Sequence, residues 1–219
     1  MSDENKRPYA LKVRGERMAE TRRRIIEATV ELHRTVGPAF TEIAEIARRA
    51  GVQRVTVYSH FPDESALIGA CSAHWRALHP APDPARWLAL PEQERVGAVL
   101  ADLYRWFRET EPMTANVLRD KEHLPALREI IEAGLGRYLG NVRALLLEAL
   151  HPAEGVRDAV AAALDVALAF PTWRALSTLG DERAAALAAR FVAQAVEADE
   201  EPPTRPSSRK GGRRPRLGT

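Results

Sequence analysis

Between Thr41 and Phe61 two short apolar repeats are separated by a single glycine, Gly51, and no other feature constrains this chain as strongly. Ile43, Ile46, Ala47 and Ala50 stand at i, i+3, i+4 and i+7, the spacing of one helical face. Gly51 supplies the backbone freedom that a sharp turn at positive φ requires. A second short helix is predicted from about Arg54 to Phe61, which makes the pair a helix-turn-helix. Ala47 is small where the helices would cross, and Val52 and Val57 are placed to pack onto Ile43 and Ile46. Gln53, Arg54, Thr56 and Ser59 are left facing outward. Such a helix fits a DNA major groove, about 12 Å wide, with its N-terminal residues at base edges. Gln53 can pair with adenine and Arg54 with guanine through two hydrogen bonds each, while Thr41, Tyr58 and His60 suit phosphates. Helix N-termini add attraction for anions.

The rest of the chain also reads as helix. Ala, Leu, Arg and Glu dominate, and no period-two apolar pattern appears. A first helix is predicted from about Arg17 to Val36, stopped by Gly37-Pro38. Thr41 is expected to cap the second helix and Asp63 a fourth, running to about Leu78. Pro80, Pro82, Pro84 and Pro91 mark a loop anchored by Trp87-Leu88. Further helices are expected at Glu92–Thr110, Pro125–Leu150, Ala153–Ser177 and Asp181–Ala198, with a short segment from Pro112 to Asp120. The expected organisation is a flexible basic arm (1–16), a helix-turn-helix domain (17–62), a helical body (63–198) and a disordered basic tail (199–219).

Net charge is only +2, but it is unevenly spread. Residues 1–61 carry a net +4, residues 62–198 a net −5 and residues 199–219 a net +3. Basic ends on an acidic body point to a polyanionic partner for one end. Lys6, Arg7, Lys12 and Arg14, with Arg22, Arg23 and Arg24, are candidates for counterion-release affinity, and Arg209–Arg216 for nonspecific attraction or simple solvation. One cysteine excludes an intrachain disulfide. A polar N-terminus and no apolar run near 20 residues point to a cytoplasmic protein without membrane contact.

The run Thr41–Phe61, with Ile25-Ile26-Glu27-Ala28 before it and Gly37 four residues ahead of Thr41, resembles the TetR family of transcriptional regulators. The resemblance covers about residues 18–70 and implies an all-α homodimer. An N-terminal three-helix DNA-binding domain would sit on a larger helical domain that binds ligand and dimerises through its last two helices. It implies a regulator, expected to be a repressor, whose grip on a double-stranded operator is modulated by a small effector through a shift of the fourth helix. Thr41, Gln53, Arg54, Val55, Thr56, Tyr58, Ser59 and His60 would form the DNA-binding surface. Three positions depart from the pattern: Gln53 where the family often has a capping Ser, Val55 where it usually has Gly, and Glu64 where it commonly has Lys. Val55 and Glu64 support the alternative of a dimeric ligand-binding module with weakened DNA specificity. The segment Glu111-Pro112-Met113 with Asn116–Asp120 is similar to some family members.

Trp75, Tyr104, Trp106, Phe107, Asn116, Tyr138 and Trp173 lie on helices expected to line a ligand pocket, where they either form an aromatic wall or fill core. Asp165, inside an apolar helix, receives a cationic ligand, pairs with an arginine or faces solvent. Gly134, Gly136 and Gly140 follow no strand, so close helix packing is preferred to a phosphate loop. Cys71 reads as a buried inert thiol. No metal-ligand spacing and no nucleophile–base pair stands out, so neither a cofactor nor catalysis is expected.

Overall fold

A computed structural model describes residues 6–197, with side chains from residue 12. The helices are α1 (Lys6–Thr35), α2 (Ile43–Ala50), α3 (Arg54–His60), α4 (Glu64–Leu78), α5 (Ala85–Leu88), α6 (Glu92–Asp120), α7 (Pro125–Ile131), α8 (Arg137–Leu150), α9 (Arg157–Leu168), α10 (Phe170–Leu176) and α11 (Asp181–Glu197). Among the described residues there is no strand.

The buried apolar residues form two clusters. Ile25, Leu32, Ile46, Ala47, Val57 and Phe61 gather α1–α3 into a small head, joined by Leu67 from the start of α4. The larger cluster unites α6, α8, α9, α10 and α11 around Leu100, Leu103, Phe107, Leu146, Leu164 and Trp173. Trp87 anchors the proline-rich loop: it is buried, and its indole N–H donates to Asp102 at 3.0 Å. Asp63 caps α4, accepting from the backbone N–H of Ala66 at 2.7 Å.

Four sequence expectations change. Residues 6–16 are not a flexible arm but the first turns of α1. Ala10, Leu11, Lys12 and Glu16 are good helix formers, and Pro8 falls in the first turn, where a missing N–H costs no intrahelical bond. Thr41 does not cap α2; its hydroxyl donates instead to the Gly37 carbonyl at 2.8 Å, closing the turn after α1. Pro112 does not start a new segment, because α6 runs through it. Thr110, Met113 and Thr114 are buried on either side, and that packing outweighs the one lost hydrogen bond. Finally, Ala153–Ser177 is two helices whose axes differ by 63°. Pro171 is responsible, since an uninterrupted helix would set its ring against the Ala167 carbonyl. That carbonyl accepts from the buried Tyr104 hydroxyl at 2.9 Å. The tail and residues 1–5 lie outside the described residues.

Candidate nucleic-acid interface and effector cavity

The turn between α2 and α3 is built as its sequence requires. Gly51 adopts φ 65° and ψ 39°. Its N–H reaches the Arg48 carbonyl at 3.3 Å, and the Val52 N–H reaches Ala47 at 2.9 Å. This double cap satisfies carbonyls at the end of α2 and reverses the chain. Val57 is fully buried against Ile46, with Val52 and Ile43 packed beside it. The opposite face of α3 is therefore open: Gln53, Arg54, Tyr58 and Ser59 are exposed, Thr56 and His60 half-exposed, and Val55 is 67% exposed. Gln53 is the N-cap of α3 and makes no side-chain cap bond, which leaves its amide available. The Ser59 hydroxyl donates back to the Thr56 carbonyl at 2.8 Å. Thr41 is half-buried at the foot of the turn. Glu64 opens α4 and is exposed.

The basic residues of α1 divide by partner. Arg23 is paired with Glu20 and Glu27 at 2.7 and 2.6 Å. Arg22 lies over the Phe61 ring at 4.6 Å, and Arg24 sits against the Gly51 turn. Lys12 and Arg14 are exposed on helix rather than on a loose arm, while Lys6 and Arg7 belong to the first turn of α1.

The head is fastened to the body through the last turn of α6. The Asn116 amide donates to the carbonyls of His33 and Arg34 at 3.0 and 2.9 Å, satisfying the end of α1. Arg119 donates to the Val36 carbonyl at 2.9 Å. The buried Asp120 carboxylate accepts from the Ala39 N–H at 3.0 Å and from Arg119 at 2.6 Å. Gly37, at φ 103°, lies directly against Arg119 and Asp120, and a side chain there would collide with both.

Beside this joint is a cavity of about 250 Å³. One face of α4 (Ser72, Trp75, Arg76, His79) forms one wall, with Cys71 at its base. Trp106, Met113, Thr114 and Val117 of α6 form a second wall. The third is Ile130, Ile131, Gly134 and Leu135 of α7 and the π turn Glu132–Gly136, with Tyr138 of α8. The Trp75 and His79 rings lie 3.9 Å apart. The Trp106 indole N–H donates to the His79 carbonyl at 3.3 Å, and the Tyr138 hydroxyl to Pro82 at 2.9 Å. Of the predicted pocket residues, Trp75, Trp106 and Tyr138 line this cavity. Tyr104, Phe107 and Trp173 are fully buried in the body core. Asn116 is in the head–body joint, and the exposed Asp165 pairs with Arg143 at 3.2 Å. The glycines diverge: Gly134 touches Arg76, whereas Gly140 meets no neighbour. The α4 wall was readable as Ser72, Trp75, Arg76 and His79 at i, i+3, i+4 and i+7. The α6 wall has no such signal, because Trp106 and Phe107 are adjacent in sequence and face different compartments.

Cys71 links the cavity to the head. Its Sγ lies 3.4 Å from His33 Nδ1, within hydrogen-bond distance, with both side chains buried. Burial pushes the thiol up to about 12 and pulls the imidazole down to about 4, against a smaller upward pull from Asp120. His33 is thus neutral in the fold and protonates in the unfolded chain below about pH 6.5. Stability should fall as pH drops from about 6.5 to about 4, by up to about 3 kcal/mol, and then level off. Denaturant midpoints across that range should show a steeper fall in the wild type than in His33→Gln; parallel profiles would contradict the assignment.

Residues 25–71 match the family model for bacterial regulatory proteins of the tetR family. Among solved structures, the chain is similar to a protein assigned to the TetR family of transcriptional regulators from Mesorhizobium loti. The two are 22% identical with a TM-score of 0.55, over 83% of this chain and 96% of that one. A protein assigned to the same family from Rhodococcus sp. is 13% identical with a TM-score of 0.57, over 81% of this chain and 99% of its own. A TetR transcription regulator from Haloarcula marismortui is 16% identical with a TM-score of 0.52, over 82% and 98%. No curated protein matches the chain. The head thus matches the tetR-family model over residues 25–71, and the chain shares the fold of these solved structures.

Proposed function

We propose that this regulator is a homodimeric repressor whose hold on its operator is released by a small effector in the α4–α6–α8 cavity. In this reading residues 17–62 are the reading head and residues 63–198 the effector and dimerisation body. The observation that carries it is the shared wall. Met113, Thr114 and Val117 line the cavity, and Asn116, Arg119 and Asp120, within one turn on the same helix, hold the head. The Cys71–His33 contact is a second route, from α4 to α1. An occupant that fits the cavity better in one position of α4 than another shifts the head by that difference in affinity.

α9 and α11 supply the second copy's surface. Val166 (49% exposed), Leu187 (40%) and Phe191 (46%) flank a groove with Thr172 and Leu176. On α9, Val160, Leu164 and Leu168 are buried while Ala159, Ala162 and Val166 are exposed. Apolar side chains exposed together on adjacent helices favour burial against an identical face. Two heads would then enter major grooves about 34–36 Å apart.

Gln53, Arg54, Val55, Thr56, Tyr58, Ser59, His60 and Thr41 form the proposed DNA surface. Arg54→Ala should cost about 1–3 kcal/mol at one base pair and relax preference there. Tyr58→Phe should weaken binding to all sequences alike. Selection from random-sequence DNA with each variant tests this; unchanged preference in Arg54→Ala would overturn the placement of α3. The competing reading, a ligand-binding module with weakened DNA specificity, draws on exposed Val55 and Glu64. Sequence-independent binding by the wild type would favour it.

A further inference from the structure

The cavity is chemically one-sided. Its walls are mostly aromatic and aliphatic, with Cys71, Ser72, His79 and Thr114 among them, and Arg76, exposed to solvent, is the one arginine, lysine or carboxylate side chain on them. Among the described residues Arg76 has no carboxylate within ion-pairing distance and donates no side-chain hydrogen bond to protein, although most arginines on neighbouring helices are paired. Its guanidinium rests against Gly134, which has no side chain to push it away. The nearby acids are engaged elsewhere. Asp102 accepts from Trp87 and pairs with Arg105 at 2.9 Å, and Asp83 accepts from the Ala85 N–H at 3.0 Å. Neither carboxylate is on the cavity wall.

From this arrangement we infer that the effector is a planar aromatic weak acid, bound as its anion, with its ring between Trp75, Trp106 and Tyr138 and its carboxylate or phenolate on Arg76. This rests on the reading of the cavity as the effector site and specifies its chemistry. A guanidinium offers a planar fork that matches a carboxylate with two parallel hydrogen bonds. The flat apolar walls bury a ring, and the exposed guanidinium of Arg76 stands beside them to meet its charged group. A cation would face Arg76 with no acid on the wall to offset it. A neutral ring would gain the stacking alone, the exposed guanidinium staying hydrated.

Three probes of one shape separate these cases: 2-naphthoate, 2-naphthalenemethanol and 2-naphthylmethylammonium. Binding is read from quenching of tryptophan fluorescence, since two of the four tryptophans line the cavity. The full chain should bind naphthoate at least tenfold more tightly than the alcohol, and the ammonium most weakly. Arg76→Gln should bring naphthoate to the level of the alcohol while leaving the alcohol unchanged. Equal binding of the three probes, or a preference for naphthoate that survives Arg76→Gln, overturns the anion assignment and leaves the cavity as a binding site. Binding of none of them overturns the cavity reading as well.

Discussion

Replacing Asp120 with alanine lowers the stability of the folded chain by about 3 kcal/mol, the scale seen when a buried charge pair loses one partner. The side chain is 1% exposed and accepts from both Ala39 and Arg119. Its position makes a simple packing role untenable. A carboxylate at the C-terminus of a helix opposes the helix dipole. Asp120 ends α6 and is stable there because Arg119 and the turn after α1 neutralise it. Alanine would strand the Ala39 N–H and release Arg119 into solvent, where its charge is rehydrated; that keeps the loss near the lower end of the range. Asp120→Asn retains an acceptor for Ala39 and should lose less. Urea denaturation compares the three. A loss below about 1 kcal/mol in Asp120→Ala would show that the joint is held by other contacts.

In the proposed dimer, Phe191→Glu should separate the two copies and weaken operator binding by at least about a hundredfold, because the second head no longer binds at high effective concentration. The variant should still fold. Phe191 is nearly half exposed in the single chain and lies outside the buried core, so its replacement should leave the core intact. Two glutamates facing each other across a symmetric interface would each lose hydration without a partner. Sedimentation separates the species, and an unchanged helical spectrum shows that the chain is intact. A variant that stays dimeric would move the interface away from α9 and α11.

The head was the most legible part of the chain. Its helices α2 and α3 are short, so Gly37, Gly51 and Asp63 mark nearly every boundary, and each acts through its own backbone or cap. Local chemistry sufficed for those boundaries, though not for Thr41, whose hydroxyl closes the turn after α1 instead of capping α2, nor for the start of α1 at Lys6. It failed where a distant contact decided the outcome. Pro112 looks like a helix start, and only burial of Thr110 and Thr114 carries α6 through it. Pro171 passed unnoticed in an alanine-rich run, yet it breaks the helix and leaves Ala167 to Tyr104. Aromatic residues announced themselves but not their side: Trp106 faces the cavity and Phe107 the core, about 100° apart on the same turn. Asn116, expected in the pocket, and Asp120 were visible as polar residues near the end of a helix, but nothing in the sequence says that the partner is the turn after α1, some 80 residues earlier.

Whether α3 reads base sequence is decided by the affinity of the wild-type chain for its best random-selection DNA site, set against bulk nonspecific DNA at about physiological salt. Specific sites are typically bound at least about 10³-fold more tightly than nonspecific DNA. A ratio of that size is expected, falling by about tenfold or more in Arg54→Ala. A folded dimer that binds both DNAs equally would contradict it.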